Sequence, residues 1–319
     1  MNTPPEVSII VVNYKTARLV ADLLQSIALQ VLSEANIHVI VVDNASPDNS
    51  WVELQSMQAS HKYPWVHLIQ APHNRGFSAG NNVGIRYAQQ KFPNTHFFHL
   101  LNPDTLVHAG AIRELVQAFE QYPTVGIAGS RMENPDGSFQ TGGFRFPGIF
   151  SELEEAIRFK WCTRLLARWQ IMLPDSAVST YCDWVCGASM MIRREVIEEI
   201  GPFDEDFFLY FEEVDFCHRA ADVGWNCCYV PSSRVTHLEG QATGVTGKQA
   251  TAKRRPKYWF NSRHRYMNRH LPGAACAFAN LARLVGLTSW EIRRRIQKKP
   301  SHLPERFYQD FMMDIVERI

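Results

Sequence analysis

Several protein classes are excluded by what this chain lacks. Its 319 residues hold no run near the roughly 20 consecutive apolar residues of a membrane-spanning helix. The opening MNTPPEVSII has no basic region, and its apolar run is too short for a secretory leader, so a cytoplasmic setting is expected. None of the seven cysteines stands in CxxC spacing. That argues against zinc and for reduced, mostly buried thiols. No turn carries GxGxxG, so a dinucleotide fingerprint is absent. Neither an RNP pattern nor a helix-turn-helix pattern is present, and no nucleic-acid partner is expected. Acid is also scarce in one place: between Gly240 and Pro300, Glu291 is the sole carboxylate among many Lys and Arg residues. The net charge of +1 therefore hides a basic tail suited to an anionic partner such as phosphate, diphosphate or a lipid surface.

What is present is an ordinary soluble composition, 45% hydrophobic and 20% charged, with patterning that alternates strand and helix. Val7–Asn13 is a continuous β-branched run. Thr16–Leu29 has apolar residues at helical spacing, Ile37–Val42 is a second strand, Ser50–Ser60 a helix and Val66–Gln70 a third strand. This order predicts an α/β fold with a mostly parallel sheet. His73–Gly84 is a Gly- and Asn-rich loop leading into a helix over Val83–Gln90. Phe97–Leu101 is a buried strand that must stop at Asn102-Pro103-Asp104, because proline cannot donate to a sheet ladder. A helix is expected over Leu106–Tyr122, a strand over Val125–Ser130 and a turn at Pro135-Asp136-Gly137. Gly142–Pro174, with an amphipathic helix over Glu152–Gln170 bearing Trp161 and Trp169, is read as an insertion over the active face. Asp183–Ile192 returns to the core as a strand, and a helix over Val214–Val223 follows the acidic Glu212-Glu213-Val214-Asp215.

Ligands of open α/β sheets bind at the carboxyl ends of the strands, and polar side chains gather there. Tyr14 can stack on a base. Asp43 can accept from a pyrimidine imide or a ribose hydroxyl. Arg75 can face a phosphate, Gly76 permits close backbone approach, and Asn81 supplies an amide. Asn102 and Asp104 put an amide and a carboxylate where Mg²⁺ or Mn²⁺ can be held against a diphosphate. Trp184, Gly187 and Ala188 complete the donor-side candidates, the last two leaving space for a ligand. Among Glu212, Glu213 and Asp215, a carboxylate with a raised pKa would suit a general base. His237, after the strand Cys227–Val230, can meet metal or phosphate. Each has a plain structural alternative: helix capping for Asn102, Asp104, Glu212 and Glu213, an Asx-turn for Asp43, an i,i+4 bridge to Arg219 for Asp215, and an ordinary loop position for Arg75 and His237.

The pieces VSIIVVNY, VVDNAS, NRGFSAGNN, LLNPDT, GASMMIRREV, GPFDEDFFLYFEEVDFCHRA and VTHLEG, in this order from Val7 to Gly240, resemble the family-2 glycosyltransferases and their rhamnosyltransferase-like branch. The resemblance implies a GT-A fold over residues 1–240, with 241–319 a basic, mainly helical extension. It also implies an inverting transfer from a nucleotide-diphosphate sugar (dTDP-rhamnose first among donors) to a cell-surface glycan or lipid-linked saccharide, with a divalent cation, Mg²⁺ or Mn²⁺. It matches Tyr14 and Asp43 to the base site, Asn102-Pro103-Asp104 to the DxD-like motif with Asp104 as metal ligand, Glu213 to the base and Glu212 to the acid before it. His237 matches a histidine near the metal or diphosphate. Two departures are Asn102 in place of a first Asp, and Leu238-Glu239-Gly240-Gln241 where the family often has Gly-Gly and Ser. Alternatives are the same fold with a UDP- or GDP-sugar, and a non-catalytic sugar-nucleotide or glycan-binding protein. The tail Lys248–Lys299 interleaves basic and aromatic residues, as expected of a peripheral membrane contact or a lid on the diphosphate.

Overall fold

The computed structural model describes residues 5–31, 36–60, 62–238, 253–301 and 303–318. In chain order the elements are β1 (Glu6–Asn13), α1 (Ala17–Val31), β2 (Ile37–Asp43), α2 (Ser50–Ala59), β3 (Val66–Gln70), α3 (Gly76–Lys91), β4 (Thr95–Leu101), β5 (Thr105–Val107), α4 (Ala111–Gln121), β6 (Val125–Glu133), β7 (Phe139–Thr141) and β8 (Gly143–Phe144). There follow α5 (Ile149–Ile157), α6 (Lys160–Leu165), β9 (Thr180–Cys182), β10 (Trp184–Val185), β11 (Ser189–Arg193), α7 (Arg194–Ile200), α8 (Glu212–Asp222), β12 (Asn226–His237), α9 (Lys257–His270), α10 (Ala275–Ile296) and α11 (Phe307–Val316).

The main sheet runs β3-β2-β1-β4-β11-β6-β12-β5, parallel except where β11 and β5 reverse. Strand alternation sends Ile9 and Val11 to one face, where α1, α2 and α4 cover them, and Ile10 to the other, under α3, α7 and α8. Both faces are thus buried, which is why these strands read as continuous apolar runs.

Five local expectations are corrected. The Gly- and Asn-rich stretch after His73 is helical from Gly76 onward. Its glycines serve packing, since a Cβ at Gly80 would lie 2.7 Å from Val12 and one at Gly84 2.6 Å from Ile10. Leu106 and Val107 belong to β5, not to a helix, because they pair with Thr236 and Val235 of β12; Asn102 and Asp104 therefore cap no helix. The helix expected over Glu152–Gln170 breaks at Arg158, whose φ is +46°. The Asp183–Ile192 strand is interrupted at Cys186–Ala188, its first part pairing with β8. His237 is the last residue of a strand rather than part of a loop.

The tail's start at Lys248 and the boundary at 240/241 lie outside the described residues. From Lys257 onward the tail packs inward. Tyr266 and Met267 of α9 are buried against Phe207 and Val214, while Phe260, Leu287 and Phe311 pack around Ala156 of α5. The expected insertion and the expected tail thus form one layer.

Candidate active site

Proline at 103 ends β4, and the chain turns through Asn102–Thr105 to enter β5. The register between β5 and β12 places His237 opposite Thr105, and the Leu238 backbone N–H donates to the Asp104 carbonyl at 2.9 Å. His237 Nε2 consequently lies 3.5 Å from Asp104 Oδ1, with both side chains largely buried. Gln140 fixes the imidazole. Its Nε2 donates to the His237 carbonyl at 3.2 Å and its Oε1 lies 3.0 Å from His237 Nδ1. An amide oxygen can only accept, so Nδ1 carries a proton, and a neutral ring turns its Nε2 lone pair towards the carboxylate. A hard cation would complete such a pair of donors, and the buried Asn102 Oδ1, with no hydrogen-bond partner, is a second oxygen and third donor atom in the same turn. Among the described residues, no three His, Cys, Asp or Glu side chains converge as a metal cluster. A cation here would draw its remaining ligands from substrate phosphates and water, as Mg²⁺ usually does.

The Asn102 backbone N–H donates to the Ala188 carbonyl at 3.0 Å. One residue earlier, a Cβ built on Gly187 would lie 3.6 Å from Phe77 and 3.7 Å from Glu213 Cβ. The Cys186–Ala188 break is therefore a bridge, with the Asn-Pro-Asp turn on one side and the start of α8 on the other. Glu212 and Glu213 occupy the first turn of α8, preceded by Tyr210 and Phe211 with φ of +72° and +68°. Left-handed backbone at two successive aromatic residues is costly and gathers at functional sites. Each glutamate has a buried Oε2 with no hydrogen-bond partner. Burial pushes the Glu213 carboxyl up to about 7. Glu212 is raised well above its usual range, by burial and then by the neighbouring Glu213 charge.

Asp215 is differently placed. Arg219, Arg269 and His270 meet its carboxylate at 3.0, 2.7 and 2.9 Å. Burial raises its pKa, but these partners outweigh burial and hold it below the usual value. Such a carboxylate is a poor base and a good anchor.

On the donor side, Asp43 is fully buried. Asn13 Nδ2 donates to its Oδ1 at 2.7 Å and the Ser46 N–H to its Oδ2 at 3.2 Å. Tyr14, next to Asn13, is exposed. Arg75 pairs with Glu205 at 2.9 Å and points to solvent. Gly76, with φ of +88°, lies against the Phe208 carbonyl, which a Cβ would reach at 2.0 Å. Asn81 is buried and donates to the Phe77 carbonyl at 3.0 Å. Trp184 stacks on Phe144 with ring centroids 4.0 Å apart and donates to the Arg145 carbonyl at 2.9 Å. Asp104, His237, Ala188, Gly187 and Glu213 are thus joined through one bridge, whereas Arg75, Asn81 and Trp184 have protein partners of their own. Sequence reasoning missed Gln140, Arg269 and His270; no motif marks them, because each acts through a partner distant in the chain.

The model of the family described as glycosyl transferase family 2 matches residues 8–201. An N-acetylglucosaminyl-diphospho-decaprenol L-rhamnosyltransferase of Mycobacterium tuberculosis is 27% identical over 68% of this chain and 71% of its own. A low-salt glycan biosynthesis hexosyltransferase of Haloferax volcanii is 33% identical over 67% of this chain and 61% of its own. Among solved structures, a mannosyltransferase of Pyrobaculum calidifontis, in complex with GDP-Man and Mn²⁺, has a TM-score of 0.59 at 18% identity, covering 92% of this chain and 75% of that one. The sheet with its flanking helices is accordingly a GT-A fold. Since the matched span exceeds half of the sequence, the chain belongs to glycosyl transferase family 2.

Proposed function

We propose that this glycosyltransferase moves rhamnose from dTDP-rhamnose, with inversion at the anomeric carbon, to a cell-surface glycan or a lipid-linked saccharide at the cytoplasmic face of a membrane. The observation that carries the inverting chemistry is Glu213, with one carboxylate oxygen buried and unpartnered and a pKa near neutrality. A group so poised takes the proton from an acceptor hydroxyl as that oxygen attacks opposite the leaving diphosphate, in a single displacement. Asp104 and His237, with Asn102 beside them, would hold Mg²⁺ or Mn²⁺. When bound, the cation supplies positive charge that stabilises the departing nucleoside diphosphate. Tyr14, beside the buried Asp43, would take the base. The rhamnosyltransferase relative supports rhamnose as the sugar and a lipid-diphosphate acceptor.

A donor panel of dTDP-rhamnose, UDP-sugars and GDP-mannose, read as release of nucleoside diphosphate with Mg²⁺ or Mn²⁺, tests this reading. Release from dTDP-rhamnose alone is expected, abolished by EDTA and by Asp104→Ala with circular dichroism unchanged. Full turnover in chelator would remove the cation from the scheme, and preference for GDP-mannose would remove rhamnose.

A further inference from the structure

The basic run that opens the tail is largely spent within the protein. Arg254 forks onto Asp310 at 2.8 Å, Lys257 lies 3.6 Å from Glu317, and Arg255 sits over the Tyr210 and Trp259 rings. An anionic partner of the tail therefore has to be sought elsewhere, and α10 offers a place. One face of this 22-residue helix is buried through Cys276, Ala279, Leu287 and Trp290. Its opposite face is apolar too: Phe278, Leu281, Val285, Ile292 and Ile296 are between 51% and 77% exposed. At about 100° per residue these five fall within an arc of about 60° and run about 27 Å along the helix. A helix apolar on two faces has a second partner to meet.

The stripe is continued by a second element. Arg293 donates to the carbonyls of Ile157 and Arg158 and lies over the Phe159 ring, joining the end of α10 to the start of α6. There Phe159, Trp161 and Leu165 are 44%, 68% and 77% exposed. Cations gather at the α6 end of this surface. Lys160, Arg164 and Arg168 stand exposed on and after α6, and Arg295, Lys298 and Lys299 at the end of α10. The acid on this part of α10, Glu291, is taken up by Arg294 and Arg295.

We propose that the outer face of α10, with α6 beside it, is a membrane-docking surface that lies in the headgroup region of an anionic bilayer. Aliphatic and aromatic side chains along the face, with cations clustered at one end of it, are the composition of an interfacial helix. No helix among the described residues is long and apolar enough to span, so the contact lies on the bilayer. A second copy of the chain fits less well, because two clusters of the same sign would meet. The inference rests on the reading that the acceptor is presented at a membrane, and it says which surface reaches it.

Flotation with vesicles of phosphatidylglycerol and phosphatidylethanolamine, against phosphatidylcholine alone, tests it. The wild-type chain should float with the anionic vesicles. Leu281→Ser/Val285→Ser/Ile292→Ser should weaken that binding at least tenfold, and Lys298→Glu/Lys299→Glu should weaken it in a salt-dependent way. Both variants should keep the wild-type rate of nucleoside diphosphate release without vesicles, which also shows that they fold. Absence of wild-type flotation, or variants that float like wild type, would overturn the proposal. So would a solution dimer, seen by light scattering, that the triple substitution breaks. A protein that floats yet releases nothing from dTDP-rhamnose keeps the docking surface and loses the donor assignment, so the two failures are distinct.

Discussion

Glu212 and Glu213 open α8 side by side, yet their surroundings assign them different chemistry. Glu212 is the more buried, and burial first, then the neighbouring Glu213 charge, shift it towards its protonated form. A neutral carboxylic acid is nearly the same shape as an amide, so Glu212→Gln should change kcat little. Glu213, held at about 7, is half in its basic form near pH 7. General-base catalysis contributes about 10²–10⁴-fold, so Glu213→Gln should lower kcat by that range while donor affinity in calorimetry stays near wild type. The pH profile follows: kcat/KM should rise through about pH 7 and level off above it. Stability runs the other way. Between about 4.5 and 7 the folded protein keeps a proton that the unfolded chain has released. The stability Glu213 contributes is therefore full below about 4.5 and lost as pH rises through about 7. Glu213→Gln should accordingly melt higher than wild type at pH 8. A variant that keeps wild-type kcat, beside a Glu212→Gln or Asp215→Asn that loses it, would move the base to another carboxylate.

One helix turn along, Asp215 ties α8 to α9 through Arg269 and His270 and to its own last turn through Arg219. Removing one partner of a buried ion cluster costs about 3–5 kcal/mol, because it leaves charge uncompensated. Asp215→Asn should therefore lower Tm markedly and reduce kcat by less than Glu213→Gln does. Its depressed pKa fixes the sign with pH: the stability it supplies is present above about 3.8 and lost as pH falls below that. Loss of kcat with Tm intact would place Asp215 in the chemistry instead. At this scale the limits of the sequence are physical. The β1, β2 and β3 strands were legible because burial on both faces forces apolar runs. The start of α3 at Gly76 was not, since glycine disfavours an isolated helix and only the close approach to Val12 and Ile10 accounts for Gly80 and Gly84. Nor was β5, whose three residues are a strand only because β12 lies beside them. The Asp104–His237 pair, 133 positions apart, was visible through family resemblance alone; no local pattern marks it.

For the molecule as a whole, the decisive contacts join what the sequence divides. Glu152, on the expected insertion, meets Arg263 of α9 at 2.7 Å and Arg283 of α10 at 2.9 Å, and both arginines are nearly or wholly buried with it. Burial would raise the Glu152 carboxyl, but the two guanidinium groups hold it below its usual value. Asp215 depends on the same layer, as do Phe207 and Val214, which Tyr266 and Met267 cover. A chain ending at residue 240 would lose α9, α10 and α11 together. Glu152 would then lose both of its guanidinium partners and Asp215 two of its three, with Arg219 of α8 left to it, and the apolar surface of Phe207, Val214 and Ala156 would face water. Breaking a buried ion cluster such as that of Glu152 costs about 3–5 kcal/mol, and with the lost apolar burial this is a large part of a typical domain's stability of about 5–15 kcal/mol. We therefore expect the catalytic fold and its extension to form one cooperative unit. Calorimetry of the full chain should give a single transition with matching calorimetric and van't Hoff enthalpies, and a fragment of residues 1–240 should be insoluble or unfolded. A soluble, monomeric 1–240 fragment that melts cooperatively and still releases dTDP from dTDP-rhamnose would show that the C-terminal helices are a separable appendage.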